Sequence, residues 1–235
     1  MKILGTRIDN LSKQQIIDKI IFFLSKKKFH QIATINPEFI LETLQNNEFK
    51  NILNNCDLNV ADGYGLNFAF WRFGERLGAR VAGADLMNEI LKIAEINNLK
   101  LFLVANSRGL STWEETRDAI LKKYSKLDIN GANLDNNVMN YNLLINNYDI
   151  IFCNFGAPKQ EKFLYSLKTI ENSKIKIAMG VGGSFDYLTG KVKRAPVFMR
   201  NLGLEWLWRL IQQPRRIRRI INAVIIFPLR IFLAR

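Results

Sequence analysis

A chain of 235 residues with 48% hydrophobic content is long enough for one sizeable α/β domain with an appendage and too short for two independent domains. Its single histidine, His30, excludes Ser-His-Asp hydrolysis, Cys-His nucleophiles and His-rich zinc sites; Cys56 and Cys153 are too few and too far apart for a disulfide framework or metal knuckle and read as buried thiols. Much of the formal charge of +13 is concentrated at one end, because residues 191–235 hold eleven of the 34 Lys and Arg and one acid, Glu205, interspersed with Trp206, Trp208 and Phe227. Such a segment suits an anionic surface or a polyanionic ligand.

The first residues, Met1-Lys2-Ile3-Leu4-Gly5, show no signal-peptide pattern, and no apolar run approaches the ~20 residues that span a bilayer, so a cytoplasmic protein is expected. Ser12-Lys13-Gln14-Gln15 has capping-box spacing and is followed by Ile16, Ile17, Ile20, Ile21 and Leu24, which predicts a helix over 12–27. His30, just before the first apolar run, reads as a surface or strand-edge residue. Strands are predicted over 31–35, 58–61, 100–105, 149–155 and 174–179. Helices are predicted over 37–53 after an Asn36 cap, and over 85–96, 112–124 and 158–170. The asparagine-rich stretch 130–147 reads as a polar surface segment or compositional bias. Alternating strand and helix predicts a Rossmann-like, mostly parallel sheet with helices on both faces, making an α/β core over 1–190. Residues 191–235 then form a basic helical appendage.

Four predicted strands end in unusual residues: Thr34-Ile35-Asn36-Pro37, Asp62-Gly63-Tyr64-Gly65, Gly156-Ala157-Pro158-Lys159-Gln160-Glu161, and the Gly180-Val181-Gly182-Gly183-Ser184-Phe185-Asp186 run. Ligands of open parallel sheets bind outside the carboxyl ends of the strands, so these stretches are expected to line one crevice. Asp62 is either a general base at a strand tip or the cap of a helix starting near Tyr64, and the local sequence does not choose between them. Arg80 and Gly83, just before a helix bearing Asp85 in its first turn, could hold a diphosphate, or Arg80 could simply pair with Asp85. Gln160 stands where a first-turn side chain can address a polar ligand. The glycines around Gly182 match neither a dinucleotide fingerprint nor a P-loop, although they allow close approach of a nucleotide, with Asp186 able to accept from ribose hydroxyls or a base N–H.

Taken in order, Thr34-x-Asn36-x-Glu38, Asp62-Gly63-x-Gly65, Arg80-x-x-Gly83-x-Asp85-Leu86, Gly156-x-Pro158-x-Gln160-Glu161, Gly180-Val181-Gly182 with Phe185-Asp186, Arg194-Ala195-Pro196, and Gly203-Leu204-Glu205-Trp206-Leu207-x-Arg209-Leu210 resemble the WecG/TagA/CpsF family of bacterial glycosyltransferases over nearly the whole chain. The resemblance implies inverting transfer of a sugar, typically N-acetylmannosamine or its uronic acid, from a UDP donor. The acceptor it implies is undecaprenyl-diphosphate-linked N-acetylglucosamine at the cytoplasmic face of the membrane, in teichoic acid or other cell-surface polysaccharide synthesis. Related members handle other hexoses for exopolysaccharide or capsule. It places Asp62, as base, and Thr34 at the catalytic centre. Thr34 and Asn36 would contact donor sugar or phosphate, Gln160 the sugar or acceptor and Asp186 the uridine, while Arg80, Arg209, Arg216 and Arg219 would offset the charge of the leaving UDP. Gly83, Asp85, Gly182 and Arg194 complete the expected binding set. No metal or other cofactor is expected, since the chain has no Asp-x-Asp triplet and the arginines can carry the charge. Ile35 and Tyr64 depart from the residues expected inside these motifs, so the donor sugar does not follow from the resemblance.

A helix starting at Pro214 would place Ile217, Ile220, Ile221, Val224 and Ile225 on one side and Arg215, Arg216, Arg218 and Arg219 on the other. That pattern fits an anionic membrane surface and peripheral association with the inner face of the plasma membrane, or a terminal helix packing its apolar stripe on the core. Nucleic acid fits less well: the aliphatic face has no use there, and the core lacks helix-turn-helix, zinc or RNP patterns. A non-catalytic sugar-nucleotide sensor remains a third reading. The sequence leaves open whether the chain forms a homo-oligomer.

Overall fold

The computed structural model describes residues 1–135, 145 and 147–234. A small hairpin, β1 (Lys2–Ile3) and β2 (Thr6–Arg7), comes first. Among the described residues, six strands then form one parallel sheet in the order β4-β3-β8-β7-β5-β6: β3 (His30–Ile35), β4 (Leu58–Ala61), β5 (Lys100–Asn106), β6 (Asp128–Leu134), β7 (Ile150–Cys153) and β8 (Ile177–Gly180). The α/β architecture expected from the alternating pattern is therefore present. The four strands that end in the unusual residues, β4, β3, β8 and β7, are consecutive neighbours in the sheet. Their registers, with Ile35 opposite Ala61 and Cys153 opposite Gly180, bring their carboxyl ends to one edge.

Both faces are covered. On one, α1 (Lys13–Ser25), α5 (Gly83–Ile96) and α6 (Trp113–Leu121) bury Ile16, Ile20, Leu86, Ile90 and Ile120 against Val60, Leu101, Leu103 and Phe152. On the other, α2 (Pro37–Thr43), α3 (Asn47–Asn54) and α4 (Gly65–Arg72) enclose Phe39, Phe49 and Phe70, while α7 (Lys159–Ser166) packs Leu164 near Phe102 and Val104. The alternation of Leu101 and Leu103 with Phe102 and Val104 between the two faces is the period-two signature of a strand buried on both sides.

The expected capping box at Ser12 is formed: its side chain accepts from the Gln15 N–H, and the Gln15 side chain accepts from the Ser12 N–H. Two expectations need correction, and one strand, β6, was not expected. The single helix over 37–53 is two, because Asn46 caps a second one by accepting from the Phe49 N–H at 3.0 Å. The polar stretch beginning at Asn130 opens within a strand: β6 pairs with β5 from Asp128 to Leu134, and Gly131 allows the Trp113 ring and the Leu103 carbonyl to press on the backbone. Residues 136–144 and 146 of that stretch lie outside the described residues. His30 is buried rather than superficial, stacked on Phe23 at 4.1 Å with Nδ1 3.1 Å from the Lys176 carbonyl oxygen.

After α8 (Ser184–Leu188) the tail forms α9 (Val197–Asn201), α10 (Glu205–Gln212), α11 (Ile217–Ile221) and α12 (Phe227–Leu233). The helix expected from Pro214 begins as a tight 3₁₀ turn, Pro214–Arg216, and widens into a π-helical stretch at Asn222–Ile226 before α12. Just after this stretch, Phe227 and Ile231 pack on the α2, α3 and α4 core, where both are fully buried. Of the stripe legible in the sequence, Ile217, Ile221, Val224 and Ile225 stay exposed, while Ile220 is half-buried. The end of the tail is thus docked by two apolar residues four apart, while most of its aliphatic stripe stays exposed.

Candidate active site

At the carboxyl edge of β4, β3, β8 and β7 lies a cleft of about 330 Å³, roofed by the tail. Of the residues expected from sequence, Thr34, Asn36, Asp62, Gly83, Gln160, Gly182, Asp186, Arg194, Arg209, Arg216 and Arg219 line it. Arg80 opens instead onto a second cavity of about 180 Å³, and Asp85 lines neither.

Asp62 is the hinge of the arrangement because it faces both cavities. Its Oδ2 accepts from the N–H of Gly83 at 3.2 Å, so it does not cap α4, which starts three residues later without a side-chain cap. A side chain at Gly83 would meet Thr34 Oγ1 at 3.1 Å and Asp62 Oδ2 at 3.6 Å, so the glycine lets these three groups share the strand ends. Burial raises the Asp62 pKa from 3.8 to about 6; the Gly83 N–H and the Arg209 charge pull it down, Glu205 pushes it up and Arg80 pulls it down. A carboxylate with that pKa is ionised at neutral pH and basic enough to take a hydroxyl proton.

The walls come from turns and caps. Asn36 spends its side-chain oxygen on the N–H of Phe39 at 3.1 Å, closing the start of α2 and fixing the asparagine at the rim. Asp186 Oδ1 accepts from Ser111 Oγ at 2.8 Å, and Ser111 Oγ also lies 2.8 Å from Thr189 Oγ1. Gln160 is buried, its side-chain oxygen accepting from the Gly156 and Gly182 N–H groups and Nε2 donating to Glu161.

The tail supplies most of the positive charge. Arg209 Nη2 donates to Glu205 at 2.6 Å, and Arg219 forks onto Glu38 at 2.8 and 2.7 Å. Arg216 makes no ion pair among the described residues, and burial together with Arg219 and Arg209 lowers its pKa without removing its charge. Arg194 forks onto Asp85 at 2.6 and 2.8 Å, and this holds the Asp85 carboxyl below its usual range. The Asp85 carboxylate thus orients an arginine of the cleft from behind. Arg80 donates to the Arg200 carbonyl oxygen at 3.3 Å instead of pairing with Asp85.

Sequence reasoning did not assign roles to Glu38, Tyr64, Trp206 and Glu205, though all stood within the quoted motifs. Trp206 and Tyr64 form part of the second cavity, and Gly203 adopts φ of 75° with its Cα on the Tyr64 ring, where a Cβ would lie 2.6 Å from the nearest ring carbon. Arg200 and Tyr187 carried no comparable signal, since their place depends on how the tail folds back. Among the described residues, no group of three or more His, Cys, Asp or Glu side chains is placed to hold a metal ion.

The family model described as glycosyl transferase WecG/TagA/CpsF matches residues 1–235. The chain belongs to that family. Among similar proteins, the "N-acetylglucosaminyldiphosphoundecaprenol N-acetyl-beta-D-mannosaminyltransferase" of Staphylococcus aureus strain MRSA252 is 31% identical over 225 residues, covering 93% of this chain and 87% of the relative. The protein of the same name from strain MW2 matches to the same extent. The chain is a glycosyltransferase, and its cleft gathers the four strand-end motifs together with Gly83, Arg194, Glu205 and Arg209.

Proposed function

We propose that this enzyme transfers an N-acetylmannosamine-type sugar from UDP to undecaprenyl-diphosphate-linked N-acetylglucosamine, inverting the anomeric centre in one displacement. The observation that carries the proposal is the position of Asp62 between two cavities of different character. The first is polar, with bare glycine turns and Asp186 on its wall, and suits the nucleotide sugar. The second sets Tyr64, Trp206, Ile220 and Val224 beside Arg80, Arg200, Arg209, Arg216 and Arg219, and suits a diphosphate carrying an apolar chain. In this reading the acceptor hydroxyl gives its proton to Asp62 as its oxygen bonds to the anomeric carbon, and the bond from that carbon to the UDP oxygen breaks. The departing UDP leaves with the electron pair, and the tail arginines offset its charge without a metal ion. The names of the relatives support the acceptor and the sugar class.

The same geometry supports work at a membrane surface. No helix among the described residues is long and apolar enough to cross a membrane. The exposed Ile217, Ile221, Val224 and Ile225, with Val197 and Phe198 on α9 and Leu202 just after it, would rest at the acyl boundary while Arg218 reaches lipid phosphate. The product would feed teichoic acid or a related cell-surface polysaccharide. The test is release of UDP from UDP-N-acetylmannosamine by the purified chain. The proposal expects release that depends on a polyprenyl-diphosphate N-acetylglucosamine acceptor, and release equally fast without acceptor would contradict it.

A further inference from the structure

Next to Gln160 the chain buries a second carboxylate, Glu161, that the transfer reaction as described does not use. The Gln160 side-chain oxygen accepts from two backbone donors, the N–H of Gly156 at 3.0 Å and of Gly182 at 3.1 Å. Two converging N–H groups demand an acceptor there, so the amide has one workable orientation, with Nε2 pointing away. Nε2 donates to Glu161 Oε1 at 2.7 Å, and the Glu161 main-chain oxygen accepts from Gln31 Nε2 at 3.0 Å. Gly180 seals the arrangement, since a Cβ there would fall 2.4 Å from Gln160 Nε2 and 2.8 Å from Glu161 Oε1.

The two turns held in this way belong to different loops, one after β7 and one after β8, and both line the cleft. Gly156 and Gly182 have φ of 75° and 49°, conformations that favour glycine, and a Cβ on either would project into open space. The cleft therefore has two stretches of bare backbone on this wall, and their separation is set by one amide. We infer that Glu161 is a positioning residue for the donor side of the cleft, acting through Gln160 to hold the Gly156 and Gly182 turns at the spacing that fits the nucleotide. The inference rests on the reading of this cleft as the UDP-sugar site.

Glu161 Oε2 has no hydrogen-bond partner, and burial raises the pKa of the group to about 7 against the hydrogen bonds from Gln160 and its own backbone. Only Oε1 is needed for the clamp, as an acceptor, and a neutral carboxyl or an amide supplies that equally well. Glutamine at this position is thus expected to work, whereas methionine, similar in size but with only a weakly accepting thioether sulfur, leaves Gln160 Nε2 buried without an oxygen acceptor.

The experiment measures UDP affinity by calorimetry, donor KM and kcat, and thermal stability for the full-length parent, E161Q, E161M, Q160A and the Q160A/E161M double variant. E161M is expected to raise UDP Kd and donor KM about tenfold with kcat changed less than about threefold, and E161Q to return affinity to within about threefold of the parent. In the Q160A background, E161M is expected to add little, because the intermediary is already gone. Equal UDP affinity in E161M and parent, E161Q as poor as E161M, or fully additive losses in the double variant would each overturn the inference. Should E161M fail to fold, the E161Q and Q160A affinities decide: the inference needs the first near the parent and the second weakened. A parent that binds no UDP would overturn the donor assignment and this inference together, while a parent that binds UDP beside an equally avid E161M would overturn this inference alone.

Discussion

Replacing Asp62 by Asn separates catalysis from stability at one atom. Asparagine keeps an oxygen for the Gly83 N–H, which lies 3.2 Å from Asp62 Oδ2, but cannot accept the acceptor's proton. Loss of a general base costs about 10²–10⁴ in rate, so kcat should fall by that factor while UDP affinity stays within about twofold. Stability should move the other way. The Asp62 pKa stands at about 6 in the fold against an ordinary 3.8, so the folded state holds its proton more tightly than the unfolded chain. For a carboxyl raised in this way, the penalty is absent at low pH, develops as the unfolded chain ionises near 3.8, and is complete above about 6. The full shift corresponds to about 3 kcal/mol, and solvent entering the cleft reduces that to roughly 1–2 kcal/mol. For a chain of this size, 1 kcal/mol moves Tm by about 2–4 °C. D62N should therefore melt several degrees above the parent at pH 8 and close to it at pH 4. Calorimetry across pH, with single-turnover rates, measures both. An unchanged rate removes Asp62 as base, and a Tm gain independent of pH removes the argument from its buried charge.

The parent's rate should itself rise about tenfold per pH unit below about 6 and level off above, following ionisation of Asp62; a flat acid limb counts against it. Arg216 makes no ion pair among the described residues, so R216A should lower kcat/KM on a soluble acceptor about 10–100-fold, while R215A, outside both cavities, should change it less than threefold. Phe227→Ala opens a hole where the tail meets the core and should cost about 3–5 kcal/mol, read as faster tryptic cleavage after the tail arginines and reduced transfer. Transfer should survive EDTA; loss that Mg²⁺ restores would show that the arginines do not suffice.

Much of the core was legible because period-two and helical patterns report burial directly, as with Leu101 to Val104 or the Ser12 cap. Edge strand β6 was not, since a strand covered on fewer sides needs no apolar alternation, and its glycine and asparagines resemble a loop. The cleft could be anticipated from strand-end residues because a parallel sheet gathers its carboxyl ends, and β4, β3, β8 and β7 prove to be neighbours. What composition could not supply was pairing. Whether Arg194 or Arg80 meets Asp85, and whether Gln160 faces ligand or backbone, depends on side chains far apart in sequence. The tail shows the same limit: its isoleucine stripe was visible, but the residues that dock, Phe227 and Ile231, lie beyond that stripe, after the π-helical turn.

The central claim, transfer from a UDP-sugar to a lipid-diphosphate-linked N-acetylglucosamine, is tested most directly by offering the purified chain a panel of UDP-sugars with that acceptor and determining product mass and anomeric configuration. The account predicts addition of one N-acetylhexosamine from UDP-N-acetylmannosamine with inversion. A product of retained configuration, or no lipid-linked product from any UDP-sugar under conditions where a family relative is active, would contradict it.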